Sequence, residues 1–149
     1  MPMKLKILSC VALCLSLGTF AMAQQTVGRG PISAPRDPEI EKQSEHNLEV
    51  ARYYFYKRKP PKNNPEAMAR LNKGIEDRLR EIIDINPTFG KMDGVYFLLG
   101  EVYARAGDLD QAKEFFGKVI KEFPDSQIIG DAKKRLAEIE IQGKGKKEG

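Results

Sequence analysis

Apolar residues recur every three or four positions along most of the chain after about residue 39, with polar residues between them. This spacing gathers apolar side chains on one face of an α-helix and predicts an all-α protein of about five helices. The clearest stretch runs from Val95 to Pro124, where Gly107 and Asp108 separate two such stripes. Glycine adopts the positive φ that ends a helix, and aspartate accepts hydrogen bonds from the first amides of the next. The stretch therefore predicts a helical hairpin with a tight turn.

Two further helices are predicted before this hairpin. Helical spacing of apolar residues predicts the first helix over residues 39–58. Pro60 and Pro61 then interrupt the pattern, because proline lacks the amide hydrogen that a helix interior needs. Asn64, which stands before a proline, is a start signal for a second helix over residues 64–87.

The C-terminal part predicts one more helix. Residues 88–93 are expected to form a polar turn before the hairpin. After the hairpin, a final helix over residues 127–142 is predicted from a narrow apolar stripe made by Ile128, Ala132, Leu136 and Ile139. A helix that is apolar on one side only is suited to cap a stack of hairpins. Residues 143–149 are small and charged, which predicts a disordered tail.

The hairpin resembles the tetratricopeptide repeat, a helical hairpin of 34 residues. The signature positions of that family are occupied here by Tyr96, Leu99, Gly100, Tyr103, Ala112, Phe116 and Pro124. The resemblance implies antiparallel hairpins stacked as a short right-handed solenoid over residues 39–142. Residues 93–126 are then the clear repeat, and residues 39–87 are a diverged repeat with an insertion in its connection and second helix.

The first 23 residues are typical of a secretory signal peptide. Lys4 and Lys6 precede an apolar run over residues 7–20, and residues 21–23 (Ala-Met-Ala) have the small-x-small pattern of a cleavage site. An uncleaved membrane anchor is the alternative, but a spanning helix needs about 20 apolar residues. Residues 24–38 are rich in glycine and proline and predict a flexible linker. We therefore expect an exported protein.

Charge and cysteine content narrow the functional classes. The chain has 25 basic and 21 acidic side chains and a net charge of +4, a balance that argues against an extended nucleic-acid surface. Both cysteines, Cys10 and Cys14, lie inside the predicted signal peptide, so no disulfide is expected in the mature protein. Neither cysteine stands at the end of the apolar run, where a lipidation site would be.

The sequence contains no recognisable catalytic constellation. The single histidine, His46, is expected on the polar surface of the first helix. With no second histidine and no mature cysteine, neither a zinc site nor a Ser-His-Asp or Cys-His arrangement can be assembled. Residues 28–30 lack the spacing and preceding strand of a phosphate-binding loop. We expect no enzyme, no metal and no cofactor, and infer that the surface binds a protein or peptide.

The repeat resemblance also indicates which positions would contact that partner, because in the family the first helix of each hairpin lines the concave face. Carried over by offset, these positions are Leu48, Arg52, Phe55 and Tyr56 in the diverged repeat and Phe97, Glu101 and Arg105 in the clear one. Aromatic surface beside arginines suits an extended peptide or its carboxylate. The alternative interpretation is that the two phenylalanines pack between adjacent hairpins.

A basic cluster surrounds the proline-rich connection between the first two helices. It consists of Lys57, Arg58, Lys59 and Lys62. Such a cluster attracts acidic lipid headgroups or an acidic patch on a partner. The alternative is a solvated loop.

Longer segments, residues 49–59 and 82–126, are similar to the BamD family, the periplasmic helical-repeat component of the bacterial β-barrel assembly machinery. The chain would be a short form without a lipidation cysteine. The resemblance implies a scaffold at the outer membrane that binds other assembly subunits or unfolded outer-membrane proteins. Periplasmic cell-envelope proteins are also similar, through segments Leu-Gly-Glu, Gly-Asp and Phe-Pro-Asp-Ser. That second resemblance implies envelope coordination with the Tol-Pal system.

Overall fold

The computed structural model describes residues 37–58 and 64–145, and within these ranges it contains five α-helices and no β-strand. This confirms the predicted all-α class. The predicted signal peptide, nearly all of the predicted linker and residues 146–149 lie outside the described residues. The helices, in chain order, are α1 (Pro38–Tyr56), α2 (Pro65–Ile85), α3 (Met92–Ala106), α4 (Leu109–Glu122) and α5 (Ile129–Gly145).

Local signals set the ends of several helices. Asp37, Asn64 and Asp108 cap the starts of α1, α2 and α4, and each side-chain oxygen accepts a first-turn backbone amide at 2.9 to 3.1 Å. A proline in the first turn of α1 and of α2 helps because its missing amide hydrogen would have no helical acceptor there. Gly107, with φ of 86°, ends α3. The predicted hairpin turn at residues 107–108 is confirmed.

The turn before α3 differs from the sequence prediction. It is expected to be polar over residues 88–93, yet Phe89 and Met92 are buried in the core. Met92 is also the first residue of α3, so Gly94 lies inside the helix. Isolated apolar residues in a short connection carry no periodicity, and their burial depends on the helix that packs over them.

The start of α5 is later than predicted, because residues 124–128 form turns instead of helix. Ser126 Oγ donates a hydrogen bond of 2.5 Å to the carboxylate of Asp93 and accepts one of 3.2 Å from the amide of Ile128. These bonds hold the turn against the start of α3. At its other end, α5 extends to Gly145, into the segment for which the sequence predicts a disordered tail.

Consecutive helices pack as antiparallel hairpins. Within the first hairpin, Gln43 near the start of α1 bonds to Glu81 near the end of α2. The second hairpin is α3 with α4, whose two-residue connection requires the chain to reverse direction. α3 also packs on both helices of the first hairpin, and α5 packs on α4 as the predicted cap. Neighbouring helices therefore stack in the manner of a helical-repeat solenoid.

Two apolar clusters form the core. The first joins α1, α2 and α3 around Leu79 and Leu99, which are fully buried. The second joins α4 to α5, where Phe116 and Val119 pack with Ala132. The capping stripe predicted on the last helix faces this second cluster.

A buried polar contact fixes the connection between α2 and α3 to α1. Asn86, just after α2, donates hydrogen bonds to Glu41 at 2.9 Å and to Ser44 Oγ at 3.2 Å. Ser44 is fully buried and donates its own hydroxyl to the carbonyl of Ile40 at 2.8 Å. Because buried polar groups are costly without partners, these bonds select one position of the connection on α1.

Candidate functional site

The first helices of the two hairpins and the capping helix present a common surface, which we call the α1–α3–α5 face. It is defined by Arg52 and Tyr56 of α1, Glu101 of α3, and Asp131 and Arg135 of α5. The charged side chains of this face are close enough to Tyr56 to shift the pKa of its hydroxyl. Burial raises the pKa of the Tyr56 hydroxyl and Glu101 adds to the rise, whereas Arg52 and Arg135 oppose it.

Arg52 lies where α1 crosses the start of α3. A Cβ at Gly94 would come 2.7 Å from its Nη2 atom, so the absence of a side chain at Gly94 makes room for the guanidinium. Arg52 is exposed, and no hydrogen bond or ion pair joins it to another residue of the described ranges.

Tyr56 lies one helical turn after Arg52 and provides the aromatic part of the surface. It is 54% exposed, and its ring meets Phe55 edge to face with centroids 4.9 Å apart. An exposed tyrosine held in place by a neighbouring ring offers a large contact area at a small loss of side-chain entropy. Arg52 and Tyr56 together form a cationic and aromatic pair on α1.

The part of the face formed by α3 and α5 contains a network of ion pairs. Arg135 donates to both carboxylate oxygens of Glu101, and its Nη1 donates to Glu138 at 2.6 Å. Glu101 is thus engaged within the protein. Arg135 and Asp131 are not among the residues that the sequence predicts for the site. Their spacing with Glu138 on one side of α5, at intervals of three and four residues, is the only sequence signal for this network.

Arg105 is predicted to contact a partner, but its guanidinium lies inside the repeat stack. Nε donates to Asn72 Oδ1 at 2.8 Å, Nη1 donates to the carbonyl oxygen of Phe55 at 3.2 Å, and the guanidinium carbon lies 4.0 Å from the centre of the Phe55 ring. Burial lowers the pKa of this guanidinium. Arg105 therefore joins α1, α2 and α3, while its Nη2 has no hydrogen-bond partner among the described residues, and its role in binding stays a prediction.

The remaining predicted contacts are less exposed than Arg52 and Tyr56. Leu48 is 1% exposed and belongs to the core, so its assignment to the binding surface is wrong. It lies on the side of α1 that packs against α3. Phe97 is half-buried, with its ring 5.4 Å from that of Phe116. Phe55 is half-buried under the guanidinium of Arg105.

Comparison with known proteins identifies the second hairpin. Residues 95–126 match the sequence model of the family described as tetratricopeptide repeat. The match covers 32 of the 149 residues and supports a protein of the tetratricopeptide-repeat type. Comparisons with curated proteins and with solved structures gave no significant match. Tetratricopeptide repeats are typically non-catalytic modules that mediate contacts between proteins.

The signature residues of the tetratricopeptide repeat account for its packing. Gly100 and Phe116 are buried where its two helices touch, Ala112 is buried in the second core cluster, and Leu99 is buried in the first. Tyr103 is partly buried and stacks on Phe115, with ring centroids 5.6 Å apart and planes 5° from parallel. The matched positions therefore stabilise the hairpin, and the α1–α3–α5 face lies on other positions of the repeat.

His46 lies exposed on α1. Residues 37–58 and 64–145 contain no group of three or more histidine, cysteine or acidic side chains placed to hold a metal ion. Among these same residues, none of the helices combines the length and the apolar character needed to cross a membrane.

Proposed function

We propose that this protein is an exported scaffold that binds an extended protein segment across the α1–α3–α5 face and acts in outer-membrane protein assembly. The observation that carries the proposal is the pairing of Arg52 with Tyr56. Both side chains are exposed beside α3, and Arg52 has no anionic partner among the residues that the structure describes. The tetratricopeptide repeat supplies the rigid support beneath them.

The chemistry of this pair favours a segment with a carboxylate and an apolar side chain. Arginine binds a carboxylate through two parallel hydrogen bonds, which fixes direction as well as affinity. Tyrosine next to it offers apolar contact area to the adjoining residue of the ligand. The carboxylate is either an acidic side chain or a chain terminus. Because Glu101 is already bound by Arg135, it does not compete for Arg52.

The proposed location and role come from the sequence. A signal-like start and two segments that resemble the BamD family support a periplasmic scaffold at the outer membrane. The partners in that role are β-barrel assembly subunits or unfolded outer-membrane proteins. The Tol-Pal system is the alternative, from the second resemblance.

Site-specific photo-cross-linking in the native cells tests this function. A photoreactive phenylalanine analogue in place of Tyr56 keeps an exposed aromatic ring and reports what touches the face. We expect adducts with assembly subunits or outer-membrane proteins. Arg52→Glu should reduce their yield about tenfold or more, because it places a negative charge where a carboxylate binds.

Two controls make the result specific. The analogue at Lys133, an exposed position on α5, should not give the same adducts, and Lys133→Glu should leave the yield from position 56 unchanged. Adducts with Tol-Pal components alone would move the role to envelope coordination. Absence of any protein adduct at position 56, or adducts insensitive to Arg52→Glu, would reject the face as the binding site.

A further inference from the structure

The first hairpin has a second surface, on the side turned away from α3. On α2, Asn72 and Glu76 face α3, since they bond to Arg105 and Tyr103. Residues of a helix are 100° apart, so Gly74 points about 200° away from both. Arg70 and Arg78, one turn before and after Gly74, lie in the same row. We call the surface formed by Arg70, Gly74 and Arg78 with Tyr54 and Leu71 the outer hairpin face.

A small apolar cavity lies in this face. Its volume is about 120 Å³, and it is lined by Tyr54, Arg70, Leu71, Gly74, Ile75 and Arg78. Gly74 borders open space, since a Cβ at that position would meet nothing within 4 Å. Apolar cavities of roughly 150 Å³ hold a benzene molecule. The cavity here is smaller and has room for one apolar side chain of moderate size.

The rim of the cavity is positively charged. Arg58, Arg70 and Arg78 are exposed, and none of them has an ion pair with another described residue. Arg58 lies over the ring of Tyr54, 5.3 Å from its centre. Asp77, the acidic residue nearest the rim on this side of α2, is paired with Lys73 at 2.7 Å. Glu66 lies about one turn before Arg70, and Glu81, which accepts a hydrogen bond from Gln43, lies about one turn after Arg78.

The two ends of the helical stack differ in how they are covered. At the C-terminal end α5 closes the second core cluster and exposes Lys133 and Lys134 to solvent. At the other end, no helix within the described ranges covers the outer hairpin face, and Tyr53 beside Tyr54 is 60% exposed. A terminal hairpin with exposed apolar side chains calls for a covering element.

A second copy of this chain is a poor covering element. Stacking its α5 on the outer hairpin face would bring Lys133 and Lys134 towards Arg70 and Arg78, and like charges placed opposite each other cost several kcal/mol. An acidic helix would instead be attracted to this face, because its carboxylates pair with the arginines on the rim. Charge complementarity therefore selects the partner.

We propose that the outer hairpin face is a docking site for an acidic amphipathic helix of another protein. One apolar side chain of that helix enters the cavity at Gly74, and acidic side chains on either side of it pair with Arg70 and Arg78. Helix-in-groove recognition of this kind uses apolar anchors at intervals of three and four residues. The site is separate from the α1–α3–α5 face and does not depend on the function proposed for it.

Fluorescence anisotropy with two designed peptides tests this site on the purified protein. The probe is a labelled amphipathic helix of about 18 residues, or five turns, with leucine on one face and glutamate elsewhere. The matched peptide has lysine in place of each glutamate. We expect the acidic peptide to bind at least about tenfold more tightly than the basic one.

Substitutions on the protein locate the site. Arg70→Glu with Arg78→Glu should lower the affinity for the acidic peptide about tenfold or more. Lys133→Glu with Lys134→Glu, an equal change of net charge, should leave that affinity unchanged. Gly74→Gln leaves the charges unchanged, fills the mouth of the cavity and should also weaken binding, which keeps the test valid if the double arginine variant unfolds.

Three results would overturn the proposal. The first is equal binding of the acidic and basic peptides, or no binding of either. The second is unchanged affinity in both the arginine and the Gly74→Gln variants. The third is concentration-dependent self-association of the protein that Arg70→Glu with Arg78→Glu abolishes, since this would identify a second copy as the occupant.

Discussion

Gly100 of α3 lies directly against the ring of Phe116 of α4. A Cβ at Gly100 would come 2.8 Å from Cε1 and 2.9 Å from Cζ of that ring, closer than carbon atoms pack without displacement. Phe116 is fully buried and joins α4 to the second core cluster. The missing side chain of Gly100 therefore sets the separation of the two helices of the repeat.

Gly100→Ala should destabilise the protein by about 1–2 kcal/mol. The added methyl group displaces a buried ring, and overpacking of this kind costs about 1–3 kcal/mol. Alanine returns up to about 1 kcal/mol through its higher helix propensity. Urea unfolding followed by circular dichroism measures the difference.

Gly74→Ala is the matched control, because its new methyl group meets nothing within 4 Å. It should stabilise the protein by about 0.5–1 kcal/mol, since only the propensity gain remains. Similar effects of the two substitutions would show that Phe116 does not constrain position 100.

Arg105→Met should destabilise the protein by about 2–3 kcal/mol. Methionine keeps part of the apolar stem but leaves the carbonyl of Phe55 and the amide oxygen of Asn72 without their donor, and unsatisfied buried groups cost about 1–3 kcal/mol each. Arg105→Lys should recover only part of the loss, because one ammonium group cannot reach both acceptors and also keep the contact with the Phe55 ring.

Arg70→Met is the control for Arg105, as Arg70 is exposed and has no ion pair among the described residues. Its effect on the free energy of unfolding should stay within about 0.5 kcal/mol. If Arg105→Met is as mild as Arg70→Met, then Arg105 does not hold the three helices together.

The parts of the fold that the sequence predicts well depend on neighbouring residues in the chain. Asp108 and Gly107 act on the turn that they themselves form, and the apolar stripes of α3 and α4 follow from helical spacing. The cap at Asn64 is of the same kind. Such signals need no knowledge of how one helix is rotated against another.

The candidate site depends on that rotation, which is why the sequence predicts only part of it. Arg135 reaches Glu101 across 34 residues, and only the packing of α5 beside α3 brings the two together. Leu48 has the family offset of a surface position, but the side of α1 that carries it packs against α3. Arg105 and Arg52 are the same type of residue, and only their surroundings in the folded protein distinguish them.

The pair formed by Glu101 and Arg135 should show measurable coupling. Glu101→Gln, Arg135→Gln and the double variant form a cycle, and we expect a coupling energy of about 1 kcal/mol from a partly buried bidentate pair. The exposed pair of Lys73 with Asp77, 2.7 Å apart on α2, is the comparison and should give less than about 0.5 kcal/mol. Equal coupling in the two cycles would contradict a structural role for the network between α3 and α5.

The stability contributed by Glu76 should depend on pH. Burial on its own would raise the pKa of this carboxyl group, but hydrogen bonds from Tyr103 and Arg80, together with the positive charges of Lys73 and Arg80, leave it below its usual value. Tyr103 of α3 donates to Glu76 of α2 at 2.7 Å, and this bond joins the two helices. Arg80 Nε, also on α2, donates to Glu76 at 2.8 Å.

Because folding lowers the pKa of Glu76, the folded protein binds this proton more weakly than the unfolded chain does. The contribution of the carboxylate is complete above the usual glutamate pKa of about 4.3 and is lost as the pH falls through the lowered value. Glu76→Gln should therefore destabilise the protein at neutral pH, and the difference from the parent should narrow as the pH is lowered below about 4. Urea unfolding at a series of pH values measures it, with Glu114→Gln, exposed on α4, as the control. A deficit of the Glu76 variant that is constant from neutral to acid pH would show that the ionised carboxylate is not what stabilises the contact between α2 and α3.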